Sequence, residues 1–283
     1  MEIPFFIKGG KENKMKYLKQ KLMAAVAMLV ISTIMLTSAS YAWFTISTAP
    51  EVQTVTTTIT ANQNFEIALG TDGNKAPEET KVDDSTKDYT WGATITSLTD
   101  QEFKGLGPAV VNGSALETVK YGSDGRPAAQ VGVTRGTITN GIADIKDPEG
   151  NVIGWTILVW LRTNVDTANK KVTATVGDLT FGGDADSNNL IKVAFQQGTY
   201  DEGTKTVTDG SKFLVADNTN KTVEFENFPV NKPVPVKIHI YLDGETVTNE
   251  NIASAVDAVI GNIEFNHNGI AEDSSLTYKN IDN

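Results

Sequence analysis

"GWTILVWLRTN", residues 154–164, decides the fold class. Its apolar residues do not recur at helical spacing. Trp155, Ile157, Val159 and Leu161 alternate onto one face of an extended chain, and Leu158 and Trp160 fall on the other. A strand apolar on both faces belongs at the centre of a sheet that is covered on both sides.

Working outward, the same period of two recurs. "NFEIAL" places Phe65, Ile67 and Leu69 together, "NLIKVAFQQ" places Ile191, Val193 and Phe195 together, and "KTVEFENF" alternates Val223 and Phe225. "VPVKIHIYLDG" aligns Val236, Ile238 and Ile240, and "GNIEFN" closes the series with Ile263 and Phe265. The links carry turn chemistry. Asp147-Pro148-Glu149-Gly150 predicts a hairpin between "GIADIK" and "NVIGWT", and Asp72-Gly73, Asp124-Gly125 and Asp209-Gly210 mark further turns. Residues 71–90 and 105–130 read as long polar loops, with "GLGPAVVNG" as part of the second. One short helix is predicted over "TNENIASAVDAVI", residues 248–260, capped by Thr248. The expected class is all-β: an antiparallel sandwich or jelly roll with long loops and one short helix, formed by residues 43–283 as a single domain. Its core should hold Trp155, Ile157, Val159, Leu161, Ile191, Val193, Phe195, Ile238 and Ile240.

The 283-residue chain carries 24 basic and 35 acidic residues and no cysteine. The charge is unevenly placed. Residues 1–42 hold six lysines against Glu2 and Glu12, a net of +4, so the overall −11 leaves −15 on the remainder. An acidic body has no electrostatic attraction for nucleic acid or anionic lipid. The lack of cysteine excludes a disulfide framework, a thiolate metal site and a cysteine nucleophile.

Residues 1–42 read as a leader that forms an N-terminal signal helix. Lys16, Lys19 and Lys21 precede an apolar run from Leu22 to Leu36, and Ser40-Tyr41-Ala42 fits the small-x-small rule for signal peptidase. The run is short for a full membrane span, so cleavage between Ala42 and Trp43 is expected. Uncleaved, the segment would be a membrane anchor with Trp43 and Phe44 at the interface. Residues 1–14 look foreign to such a leader, and Met15 is an alternative start that would make residues 15–42 the signal peptide.

Catalytic signals are sparse. The two histidines are isolated: His239 falls on the face opposite Ile238 and Ile240, read as the solvent face, and His267 falls in a polar loop. There is no HExxH, no GxSxG and no phosphate-cradling glycine loop after a strand. No cofactor and no enzymatic activity are expected. "DADSNN", with Asp184, Asp186 and Asn188 as alternating oxygen donors, is the best calcium candidate. Asn189 stands where a calcium loop needs glycine, and a plain turn is the favoured reading.

"SASYAWFTIS", "NFEIAL", "VWLRTN" and "VKIHIYLDGE" together resemble the TasA/camelysin group of exported proteins of Firmicutes, which a dedicated SipW-type signal peptidase processes. The resemblance implies a jelly-roll body, cleavage between Ala42 and Trp43, and an extracellular role at the cell surface in fibres or biofilm matrix. Its partners would be the peptidase, further copies of itself, and other matrix or surface components. The freed segment "WFTISTAPEVQTVTTTIT" is β-prone and would serve as an assembly strand through Trp43, Phe44, Ile46, Val52, Val55 and Ile59. The alternative is a monomeric surface adhesin or glycan-binding sandwich, for which Tyr89, Trp91 and Tyr121 could supply aromatic contacts.

Overall fold

A computed structural model of the chain separates into two compact units, Met1–Thr45 and Ile46–Asn283. It describes residues 21–23, 26 and 28, and residues 57–268 apart from 62–64, 71–90, 93, 96–97, 99–105, 122–126, 164–170, 182–183, 226–227, 230–231 and 247–257. The described residues of the first unit are helical and exposed. None of the described helix is long and apolar enough to cross a membrane.

The second unit is built from strands. In chain order they are β1 (Ile59–Ala61), β2 (Phe65–Leu69), β3 (Thr94–Ile95), β4 (Pro108–Asn112), β5 (Ala115–Tyr121), β6 (Pro127–Gly132), β7 (Thr134–Arg135), β8 (Ile142–Lys146), β9 (Val152–Thr163) and β10 (Lys171–Val176). They continue as β11 (Leu179–Phe181), β12 (Asp184–Ala185), β13 (Ile191–Gln197), β14 (Thr199–Asp201), β15 (Thr206–Thr208), β16 (Phe213–Ala216), β17 (Thr222–Phe225), β18 (Val234–Asp243), β19 (Ala258–Ile260) and β20 (Ile263–Asn268). The class is all-β.

The quoted stretch is β9, the longest strand, and it lies at the middle of the large sheet. β18 runs along one side of it; β8 and β2 share the other. The register aligns like with like: Ile157 faces Ile238, Val159 faces Val236, and Ile238 in turn faces Phe195 of β13. These cross-strand rows make one continuous apolar face. A five-stranded sheet, β17-β10-β20-β1-β3, brings Val172, Ala174, Phe225, Ile263 and Phe265 into the same hydrophobic cluster. Phe195 of the large sheet meets Phe225 and Phe265 of the smaller one edge-on, with ring centroids 5.8 and 6.1 Å away. Aromatic pairs of this geometry add to plain area burial.

The predicted core is found, with one exception. Ile157, Val159, Leu161, Ile191, Val193, Phe195, Ile238 and Ile240 are fully or almost fully buried. Trp155 is only partly buried and packs against the edge of the cluster. The predicted Asp-Pro-Glu-Gly hairpin joins β8 to β9. Gly150 adopts a φ of 91° there, and the Asp147 carboxylate accepts the Asn151 backbone N–H at 2.8 Å.

Several expectations are corrected. The sheets are mixed, since β1 pairs β20 and β4 pairs β18 in parallel, and each pair joins segments too distant in sequence for a hairpin. Residues 105–130 are not one loop, because β4, β5 and most of β6 lie within them. Asn112-Gly113 starts a two-residue hairpin with Gly113 at φ 60°, a signal that the polar composition of the region masked. The end of the predicted helix, Ala258–Ile260, is β19 and pairs with β11; residues 248–257 lie outside the described residues. His267 belongs to β20, opposite Val172, rather than to a loop. Residues 71–90 and the turn Asp124-Gly125 also lie outside the described residues.

Candidate functional site

The notable chemistry lies on the outer face of the large sheet, the one turned away from the shared core. The sequence pattern places that face in solvent at β18. The structure covers it. Ala68, Leu158 and Trp160 are buried beneath Ile138, Tyr200 and Val207, and Ala109, Ala194 and Tyr241 form another apolar cluster with Val133 and Phe213. His239 is therefore 0% exposed, not solvated.

A buried side chain of this polarity needs partners, and neighbouring strands supply them. Thr156 of β9 sits directly across from His239, its hydroxyl 2.9 Å from Nδ1. Gln196 of β13 places Oε1 3.4 Å from Nε2. A carboxamide oxygen only accepts, so the imidazole carries its proton on Nε2, and Nδ1 accepts from Thr156. Gln196 is held in turn. Its Nε2 donates to the Gly210 carbonyl at 2.6 Å, and Arg135 of β7 donates to its Oε1 at 3.2 Å. Asp209 then joins Arg135 at 3.1 Å to Lys237 at 2.5 Å. The Phe213 ring lies 5.5 Å from the imidazole.

Burial pushes the His239 pKa down, and the positive charges of Arg135 and Lys237 push it further, to about 3. The ring is neutral at physiological pH and closed to solvent. It can hold the outer layer onto the sheet but cannot reach a soluble substrate. Tyr241, on the same face, is pushed upward by burial and by Asp243, so its phenol stays protonated.

The other predicted residues are not brought to this place. Asp186 is buried, and its two oxygens accept the backbone N–H groups of Leu190 and Ile191 at 3.0 and 2.7 Å, while Asp184 and Asn188 are exposed. Asp186 thus ties a turn to the start of β13, with Asn189 at φ 53° where a glycine would be at ease. Among the described residues no three His, Asp or Glu side chains are grouped to hold a metal. Trp91 is half-buried, with the Arg162 guanidinium 4.3 Å over its ring, so it is no open aromatic platform. Tyr89 and the side chain of Tyr121 lie outside the described residues. So do Ala42, Trp43, Phe44, Ile46, Val52 and Val55.

Ile59 is the one described residue of those expected to form the assembly strand. It is 0% exposed, in a strand flanked on both sides by β20 and β3 of its own chain, with Thr57 buried just before it. Pairing from Ile59 onward is already used within the molecule.

No family model matches this chain, and neither a curated protein nor a solved structure does. Clefts on the described surface include two that are open to solvent. One of about 470 Å³ runs between the β14–β15 hairpin and Lys232. One of about 170 Å³ is lined by Val110, Val111, Val215 and Tyr241 together with Lys192, Asp243 and Glu245. Neither adjoins His239.

Proposed function

We propose that this chain is an exported structural protein of the bacterial cell surface or biofilm matrix, with a jelly-roll body, whose subunits join through the segment freed behind the leader. The observation that carries this reading is the order of the N-terminal pieces. A leader ending in Ser40-Tyr41-Ala42 is followed at once by Trp43-Phe44 and a threonine-rich, β-prone run, and the first strand among the described residues is Ile59–Ala61. The boundary of the folded unit, after Thr45, falls close to the expected cut after Ala42, which supports the same division. A SipW-type signal peptidase is the expected processing partner.

The fourteen residues 43–56 could span roughly 45 Å when extended, enough to reach a neighbouring subunit. Joining an open sheet edge there would bury Trp43, Phe44, Ile46, Val52 and Val55 and satisfy the backbone. Such head-to-tail contact does not close on itself and so builds a filament. A suitable edge is β16. Among the described residues it pairs only with β13, and Val215 on it is 36% exposed. Electron microscopy of the processed protein tests the reading. The intact mature chain should form fibres, and deletion of residues 43–50 should leave a folded monomer. If the intact chain stays monomeric, or the truncated one polymerises as before, the proposal fails.

A further inference from the structure

Three neighbouring strands place one amine between two carboxylates. Lys192 of β13 is one step along from the Val193–Ala216 pair, which sets it across from Asp217 at the end of β16. Its Nζ lies 2.6 Å from Asp217 Oδ2 and 3.5 Å from Oδ2 of Asp243, the last residue of β18. The three side chains are 15, 12 and 16% exposed, and Lys192 and Asp243 line the cleft shared with Val110, Val111, Val215 and Tyr241. The other oxygen of Asp217 accepts two backbone N–H groups, from Thr219 at 2.9 Å and Asn220 at 2.7 Å.

We propose that this is a self-modification site, at which Lys192 and Asp217 form an intramolecular isopeptide bond with Asp243 as the proton carrier. The chemistry balances without any co-reactant. The ammonium gives one proton to Asp243, which passes it to Oδ2 of Asp217, and the freed amine attacks Cγ of the now neutral carboxyl. Charge then develops on Oδ1, where the Thr219 and Asn220 amides already donate, as in an oxyanion hole. The Nζ–Cγ bond forms and the Cγ–Oδ2 bond breaks. Oδ2 leaves as water carrying two of the three ammonium protons, one of them delivered by Asp243, and the third remains on the amide nitrogen. The strand register holds the amine beside the carbonyl carbon.

The resting state is the ion pair. Burial pushes the Asp217 carboxyl up, but Lys192 and the two amides outweigh this and hold it below its usual range. Reaction therefore waits on proton transfer within the triad and occurs once per molecule, after folding. A built-in comparison is available. Lys237 and Asp209 are also in contact, at 2.5 Å, but Asp209 is shared with Arg135 rather than faced by a second carboxylate, so that pair should stay ionic. The link would fasten the edge strand β16 to the interior of the sheet in a chain with no cysteine for a disulfide.

Mass spectrometry of the purified full chain decides the matter. The expected mass is one water below that of the sequence, with a branched fragment joining Lys192 to Asp217. Lys192→Arg, which preserves the ion pair, should restore the unmodified mass, and Asp243→Asn should link many-fold more slowly. An unmodified parent mass overturns the proposal, as does a water loss that maps elsewhere. An Asp243→Asn chain that links as fast as the parent removes Asp243 from the mechanism.

Discussion

β9 and β18 lie side by side over eight residue pairs, yet their outward faces look unlike. β9 turns Leu158 and Trp160 outward; β18 turns Lys237, His239 and Tyr241 outward. Taken strand by strand, the first face asks for cover and the second asks for water. The structure covers both, because cover belongs to a sheet and not to a strand. Ile138, Tyr200 and Val207 cover Leu158 and Trp160, and Phe213 lies against the histidine next to them, so both stretches of the face are buried. Polar residues on a covered face then become a hydrogen-bonded cluster instead of a solvated edge.

The inner and outer faces should differ in how they fail. On the inner face the largest loss is expected from Phe195→Ala, which empties the centre of the Phe225 and Phe265 contacts. A cost of about 3–5 kcal/mol is expected, measured by denaturant unfolding, and it should be independent of pH. A loss under about 1 kcal/mol would mean that the two sheets do not share that core.

The inner face was legible in the sequence because its signal is local: period-two alternation of Val, Ile and Phe within single strands. The Asp147–Gly150 turn was legible for the same reason. Other features depend on pairing, which no single segment states. The parallel neighbours β1 and β20 come from opposite ends of the body. His239 meets Thr156, Gln196 and Arg135 only through three separate registers. The β4–β5 hairpin was readable in principle from Gly113-Ser114 between "PAVVN" and "ALETV", but the polar composition of the region disguised it. Ala258–Ile260 became a strand because Leu179–Phe181 offered a partner, a tertiary demand that overrides a weak helical stripe.

The outer face should instead fail with acid. His239 titrates near 3 in the fold, against an ordinary value near 6.5, so the fold favours the neutral ring. The stability this contributes is complete above about pH 6.5 and is lost as pH falls toward 3, by about 3 kcal/mol at pH 4.5. His239→Leu should remove that slope. It should also lower stability at neutral pH by about 1–3 kcal/mol, because Thr156 and Gln196 lose a buried partner. An unchanged slope between pH 6.5 and 4.5 in this variant would show that the outer face is not the acid-sensitive one.

Asp186 offers an intermediate case on neither face. Its carboxylate serves two backbone amides at the entrance to β13, so Asp186→Ala should cost about 1–3 kcal/mol. The loss should not depend on added calcium, because the carboxylate's partners are the chain's own N–H groups. Thermal unfolding with calcium and with chelator checks this, and a melting temperature raised by calcium in the parent but not in the variant would restore the cation reading.

The smallest effect is also the most discriminating. Arg135 is the side chain of β7 that joins the histidine cluster, reaching Gln196 and Asp209 from the end of the large sheet beyond β8. Its ion pair with Asp209 is substantially exposed, so Arg135→Ala should cost no more than about 1 kcal/mol at neutral pH, and less in high salt. Its charge, however, helps hold His239 unprotonated. Without that charge the folded-state pKa rises toward the ordinary value, so protonation costs the variant less than it costs the parent. The stability gap between the two proteins should therefore narrow as pH falls from 6.5 toward 4.5. A gap that stays constant over that range would mean Arg135 only packs against the sheet and takes no part in the electrostatics of the buried histidine.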